Sequence, residues 1–212
     1  MEFKKENKYY SVVRHDIIEV VPDSVKTLLE VGCGFGYTSK IIKDLLNIQY
    51  TMGIEISEKS ARIASNLLDK VLICDIEQEE PDLPLSFFDC IICADVLEHL
   101  RNPWSTLEML KKYLNNEGII IASIPNIRNI QPLMKILFNK FEYESEGILD
   151  ITHLRFFTLH TIRKMFRDSG YDIFYVRRNK LKGWKAGLFS FMTFGLLDSF
   201  LDFQYIIIAG KA

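Results

Sequence analysis

The chain lacks an apolar stretch long enough to cross a bilayer. Its most apolar run, Trp184 to Leu197, has an uninterrupted core of about ten residues against the 18 or more that a spanning helix needs. No transmembrane span is expected. The polar N-terminus carries no apolar h-region, so no secretory signal is expected either, and the four cysteines then read as reduced thiols of a cytoplasmic protein. With 11 glycines and 6 prolines in 212 residues the chain is neither collagen-like nor linker-dominated. Charge of one sign is also missing. The 26 basic and 28 acidic residues leave a net charge of −2, without the positive field that binds nucleic acid, and no nucleic-acid partner is expected. No internal repeat is visible.

What is present is a 48% apolar, 25% charged composition, that of an ordinary globule long enough to bury a full core. A single domain over 1–212 is the economical reading. Cys90 and Cys93 have the spacing of a redox or metal pair, but they sit inside the apolar run Phe87 to Ala94, which reads as a buried strand. Residues three apart on a strand point to opposite faces, so both read as core thiols.

Strand-like runs alternate with segments of helical period, the pattern of a parallel sheet covered by helices on both faces. Strands are expected at Lys26 to Val31, Tyr50 to Ile54, Val71 to Cys74, Phe88 to Cys93, Gly118 to Ile124, Tyr171 to Val176 and Phe203 to Ala209. Helices are expected at Tyr37 to Leu46, after Ser57, from Pro103 with Trp104, Leu107, Leu110 and Leu114 inward, around Leu133 to Phe138, and at Leu159 to Asp168 behind a Thr158 cap. Residues 1–25 read as an N-terminal cap helix, 126–157 as an insertion on the acceptor side and 180–202 as an apolar insertion before the last strand. Three roles stay open for Trp184 to Leu197: a cover over the sheet or active site, a homodimer interface, or peripheral contact with a membrane surface.

The chemistry concentrates where the first strand enters the first long helix. Gly32, Gly34 and Gly36 let the backbone turn sharply and approach a ligand. A dinucleotide fingerprint would need glycine at Tyr37, and a P-loop would need a terminal Gly-Lys-Ser/Thr. Neither fits. Glu30, just before the glycines, suits a cationic ligand better than a pyrophosphate.

These residues, with Glu55 and Ile56 after the second strand, Asp75 and Ile76 after the third, Asp95 to Leu100 after the fourth and Gly118 to Pro125 as the fifth, resemble the class I S-adenosylmethionine-dependent methyltransferases. The resemblance implies a Rossmann-like α/β fold, a doubly wound, seven-stranded, mostly parallel sheet with a substrate-covering insertion after strand five. It also implies S-adenosylmethionine as cofactor and S-adenosylhomocysteine as product. Glu30, Gly32, Cys33, Gly34, Gly36 and Asp95 would then hold the methionine end, Glu55 the ribose hydroxyls, and Asp75 the adenine amino group between Ile56 and Ile76.

Asp150 to Thr158, with Tyr9, Tyr10, Arg14, Glu98 to Leu100, Pro125 and Asn126, is similar to a narrower group associated with bacterial glycan, O-antigen and capsule biosynthesis. That group often has a basic residue where this chain has Ile151. The likeness implies a small-molecule acceptor, a sugar hydroxyl, with Tyr9, Tyr10, Arg14, Asn126 and Arg155 binding it. A sugar hydroxyl benefits from a general base, and of the four histidines His99 and His153 lie in segments expected near the cofactor. Each could instead be a structural hydrogen-bonding group, and Arg155 could clamp Asp150. His99, His153 and His160 lack short ligand spacing, so no metal is expected. N- or carboxyl O-methylation of a small metabolite, and a catalytically silent cofactor-binding subunit, remain as alternatives.

Overall fold

The computed structural model describes residues 10–181 and 183–212. Seven strands, β1 (Thr27–Val31), β2 (Tyr50–Glu55), β3 (Lys70–Ile73), β4 (Phe88–Ala94), β5 (Leu114–Pro125), β6 (Tyr171–Lys180) and β7 (Asp202–Lys211), form one sheet in the order β3, β2, β1, β4, β5, β7, β6. Only β7 runs against its neighbours, pairing antiparallel with both β5 and β6. This is the doubly wound, mostly parallel sheet that was expected. Strand order reverses direction between β1 and β4, where Leu28 lies opposite Cys90 and Val31 opposite Cys93. A crevice therefore opens at their carboxyl ends, the usual ligand position in such sheets.

The helices are α1 (His15–Ile18), α2 (Tyr37–Leu46), α3 (Glu58–Ala64), α4 (Pro103–Tyr113), α5 (Ile130–Leu137), α6 (Leu159–Asp168) and α7 (Trp184–Met192). Their starts follow local chemistry. Ser57 accepts the Ser60 amide at 3.3 Å, and Asn102 accepts the Ser105 amide at 3.3 Å with Pro103 in the first turn. Thr158 and Thr161 exchange side-chain-to-amide bonds in a reciprocal capping box.

Alternation along β4 divides the core. Ile91 and Cys93 join Leu107, Leu110, Phe166 and Tyr171 on the α4 and α6 face, while Cys90 and Ile92 join Ile17, Val21 and Ile42 on the α1 and α2 face. Both thiols are fully buried, on opposite faces, and burial pushes them well above the ordinary thiol range.

Element boundaries shift by one to four residues, and three of the shifts have a plain local cause. Leu114, assigned to the inward face of α4, is instead the first residue of β5, because the chain passes from Tyr113 directly into the strand. Cys74 lies just beyond β3, its amide bonded to the Glu55 carbonyl at 3.2 Å. β6 runs on to Lys180 because β7 pairs with it as far as Asp202. Of the N-terminal cap, residues 1–9 lie outside the described residues, and within 10–25 the helix is the four-residue α1. The insertion at 126–157 contains α5 and bridges back to the sheet end through Asn126 and Phe157. The segment at 180–202 contains α7, after which Phe194 and Leu196 are 90% and 83% exposed.

The capping box gives a stability test. Thr158→Ala removes the bond to the Thr161 amide and should cost about 1 kcal/mol, read as a lower urea midpoint at unchanged m-value. An unchanged midpoint would mean that α6 is held by packing alone.

Candidate cofactor and acceptor site

The turn after β1 is built from three glycines in the left-handed region, with φ of +67° at Gly32, +55° at Gly34 and +79° at Gly36. Such angles strain any residue with a Cβ. The Gly32 and Cys33 amides donate to the Ile54 carbonyl at 2.8 and 3.1 Å, and the Phe35 amide to the Tyr10 carbonyl at 3.0 Å. A Cβ on Gly34 would lie 2.8 Å from that same carbonyl oxygen. The turn thus seats the N-terminal segment as well as any ligand.

Glu55, 4% exposed at the end of β2, accepts the Gly34 amide at 2.9 Å and the Ser57 amide at 2.8 Å. Burial raises its carboxyl, opposed by those amides. Its oxygens keep further lone pairs for ligand hydroxyls. On the neighbouring strand, Asp75 accepts the Glu77 amide at 3.0 Å, and Ile76 helps line a recess with Glu77, Asn102 and Met109. Ile56 is 65% exposed. The carboxylates expected to meet ribose and adenine, with Ile56 and Ile76 each next in sequence, therefore stand at the ends of adjacent strands. That donor set fits S-adenosylmethionine.

Glu30 is also buried and accepts the Ser39 hydroxyl at 2.5 Å. Cys33 has its thiol turned into a pocket with Ala64 and Leu68, so only its backbone borders the turn. Its sulfur fills the gap left over Gly53.

Asp95 ends β4 with φ of +55°. Its carboxylate accepts the Ser123 hydroxyl at 2.9 Å and the Gln204 amide group at 2.5 Å, and it pairs with Arg14. Arg14 is further bonded to Asp16 and Gln204 and is 15% exposed. Expected to bind acceptor, Arg14 is instead a clamp between the N-terminal segment and the sheet, because two carboxylates already occupy its fork. Tyr10 stacks on Phe35 at 6.0 Å, and its hydroxyl is held above the ordinary range by burial and the nearby Glu55 charge. Tyr9 lies outside the described residues.

The two expected histidines meet. Their ring centroids are 4.8 Å apart, although 54 positions separate them in the chain. His99 follows β4 in a short 3-10 turn, with Nδ1 3.1 Å from both the carbonyl and the hydroxyl of Thr152. His153 Nδ1 lies 3.0 Å from the Ile148 carbonyl. The Glu98 carbonyl accepts the amides of Leu154 and Arg155 at 2.9 and 3.0 Å, strapping the insertion onto the turn after β4. His160 sits exposed on α6, away from this pair.

Two further residues expected to bind acceptor have partners within the chain. Asn126 is fully buried and donates to the Asp202 carbonyl at 2.8 Å, a carbonyl that also accepts from Asn129 at 3.1 Å, and so ties the end of β5 to β7. Arg155 donates to the Arg101 carbonyl at 3.0 Å and its guanidinium lies 5.9 Å from the Trp104 ring, so it braces the loop before α4. Sequence reasoning missed Ser123, Gln204 and Asp16, which hold Asp95 and Arg14, and gave Glu98 no role although it named it beside His99. A separate groove along β6, lined by Arg163, Arg167, Phe174 and Arg178, contains none of these residues.

Burial pushes the Glu30 carboxyl up from 4.5 to about 7, against the Ser39 bond and the Arg14 charge. Between those values the folded state holds a proton that the unfolded state has released, so stability falls as pH rises through that window. Glu30→Gln removes the titration. The variant should gain about 3 kcal/mol on the wild type between pH 4.5 and pH 7, read from urea midpoints across that range. Parallel pH profiles would show that Glu30 ionises normally.

The model of the methyltransferase domain family matches residues 6–176. A protein of Methanocaldococcus jannaschii without an assigned function is 29% identical over 129 residues, covering 61% of this chain and 49% of its own. A ubiquinone biosynthesis O-methyltransferase of Glaesserella parasuis is 29% identical over 137 residues, covering 60% of this chain and 56% of its own. The chain spans about half the length of these curated relatives. Among solved structures, an S-adenosylmethionine-dependent methyltransferase of Archaeoglobus fulgidus superposes with a TM-score of 0.66 at 17% identity, covering 89% of this chain and 87% of its own. With the glycine turn, the carboxylates at successive strand ends and this match over most of its length, the chain belongs to the methyltransferase domain family, whose cofactor is S-adenosylmethionine.

Proposed function

We propose that the protein transfers the methyl group of S-adenosylmethionine to a hydroxyl oxygen of a small molecule, with the His99 and His153 pair facing the acceptor. The observation that carries this reading is the meeting of two imidazoles, one from the turn after β4 and one from the insertion, next to the crevice between β1 and β4. An amine or a carboxylate needs no such pair, whereas a hydroxyl must lose a proton as it attacks. The O-methyltransferase among the relatives supports the same acceptor atom. A sugar hydroxyl, the acceptor implied by the likeness to the glycan group, lies within this class.

The bound cofactor supplies a methyl carbon already activated by a sulfonium, so the protein's work is alignment and proton removal. In this reading Glu55 accepts the ribose hydroxyls and Asp75 the adenine amino group, and the cationic end favours the charged form of Glu30, whose carboxyl burial raises to about 7. The left-handed turn at Gly32, Gly34 and Gly36 brings backbone amides close without side chains intervening. Tyr10 and the Arg14 clamp close the N-terminal side. Residues 126–157 close the acceptor side, with His153 set against His99.

Two experiments test this. Asp75→Ala should weaken S-adenosylmethionine binding by about 1–3 kcal/mol in calorimetry, the cost of leaving a buried donor without its partner. Unchanged affinity would remove Asp75 from the adenine site. The acceptor class is tested by offering the purified protein labelled cofactor with nucleotide sugars, sugar phosphates, phenols, amines and carboxylic acids, and reading methylated products by mass spectrometry. O-methylation of a hydroxyl is expected, with His99→Ala and His153→Ala each losing about 10²–10⁴ in kcat at normal cofactor affinity. Products confined to amines or carboxylates would overturn the assignment.

A further inference from the structure

We propose that Glu98, His99 and His153 form a binding site for one divalent transition-metal ion of the zinc class at the acceptor end of the crevice. One ligand atom from each of the three lies within 4.8 Å of the others. Two nitrogens and one carboxylate oxygen make a mixed donor set that favours Zn²⁺, Co²⁺ or Mn²⁺ over Mg²⁺ or Ca²⁺, which prefer all-oxygen sites. Three protein ligands are also the number found where a metal keeps a coordination position open for substrate.

The surrounding hydrogen bonds point the same way. The Thr152 hydroxyl has one proton, and its oxygen stands 2.6 Å from an oxygen of Asp150, which also accepts the Thr152 amide at 2.8 Å. With that proton given to Asp150, both Thr152 oxygens facing His99 Nδ1 are acceptors, so Nδ1 carries the hydrogen. The Ile148 carbonyl fixes His153 in the same tautomer, since a carbonyl only accepts. In both rings the lone pair is then on Nε2. A ring whose other N–H is held by a carbonyl or a hydroxyl backed by a carboxylate is the arrangement that orients metal-ligating histidines. Glu98 is 1% exposed, so its charge is met by neighbouring groups rather than by bulk water, and Arg14 lies within electrostatic reach.

Ligands about 2.1 Å from a four-coordinate ion stand about 3.4 Å apart. Binding therefore draws the most distant pair of ligand atoms together by up to about 1.4 Å.

The chemical consequence rests on the O-methylation reading. An acceptor hydroxyl held on the open position becomes more acidic and gives its proton to solvent. The oxygen lone pair then forms the bond to the methyl carbon as the carbon–sulfur bond breaks. That bond's electron pair stays on sulfur, and the sulfonium becomes a neutral thioether. No electron is exchanged with the metal, so a redox-inert ion suffices.

The test needs neither acceptor nor methyl donor. The full chain, stripped with chelator, is titrated with Zn²⁺ by calorimetry and with Co²⁺ by visible absorption. One equivalent is expected to bind, with Co²⁺ bands free of the intense thiolate transition that the buried cysteines would produce, and with Zn²⁺ raising Tm. His99→Asn, His153→Asn and Glu98→Gln should each weaken binding at least about tenfold. A variant that does not fold is replaced by His99→Gln or His153→Gln. Absence of binding, a thiolate band, a response confined to Mg²⁺, or unchanged affinity in folded variants would each overturn the site. Turnover of a hydroxyl acceptor in chelator would overturn the metal while leaving O-methylation standing. Metal binding without hydroxyl methylation would do the reverse.

Discussion

The carboxylate of Asp95 is the point on which the carboxyl edge of the sheet is organised. Its backbone leaves β4 in the left-handed region, which aspartate tolerates better than most residues with a Cβ. That conformation turns the side chain toward Arg14 from the N-terminal segment, Ser123 from β5 and Gln204 from β7, while the Asp95 amide donates to the Ser123 hydroxyl at 3.0 Å. One half-buried carboxylate thus fixes three elements that approach from different parts of the chain. Burial pushes such a carboxyl toward its neutral form, and the Arg14 charge opposes that. Loss of Arg14 would leave Asp95 without its counter-charge, a larger cost than the pair's net contribution, whereas Arg14 without Asp95 would keep Asp16.

Around that point the crevice is acidic. Glu30 and Glu55 are buried at the ends of β1 and β2, Asp75 follows β3, and Glu98 follows β4. The nearest cation, Arg14, is committed to Asp16 and Asp95. A diphosphate would meet repulsion here, whereas a ligand with a sulfonium gains from each carboxylate it approaches. The glycine turn alone does not distinguish these ligands, since glycines serve both. The sign of the charges beside it does.

The same contrast explains what was legible in the sequence. Sheet and helices were read closely because β1, β2, β4 and α6 carry both periodicity and punctuation, as in the Thr158 cap and the Gly170 stop. The positions of the carboxylates expected to hold the cofactor were legible because Glu55 ends β2 and Asp75 and Asp95 follow β3 and β4 within two residues. The acceptor end was harder. Asn126, Arg14 and Arg155 are polar residues of the right type in the right segments, but backbone carbonyls and carboxylates claim them, and residue type does not reveal that competition. Leu114 satisfies the period of α4, yet the sheet takes it because β4 offers Phe88 as a parallel partner.

The contact between His99 and His153 shows how such an end is assembled. Neither histidine is placed by its own local sequence. The Glu98 carbonyl accepts two successive amides of the insertion, and this backbone junction sets the height of His153 above the turn that carries His99. Thr152, one residue earlier, then orients the His99 ring from the insertion side. The carboxylates are thus carried by the strand ends, while the histidine contact forms only where residues 126–157 meet the turn after β4. The outer part of 126–157, around the exposed Ile136, Leu137 and Phe138, takes no part in these bonds, so changes there leave the carboxylates at the strand ends in place.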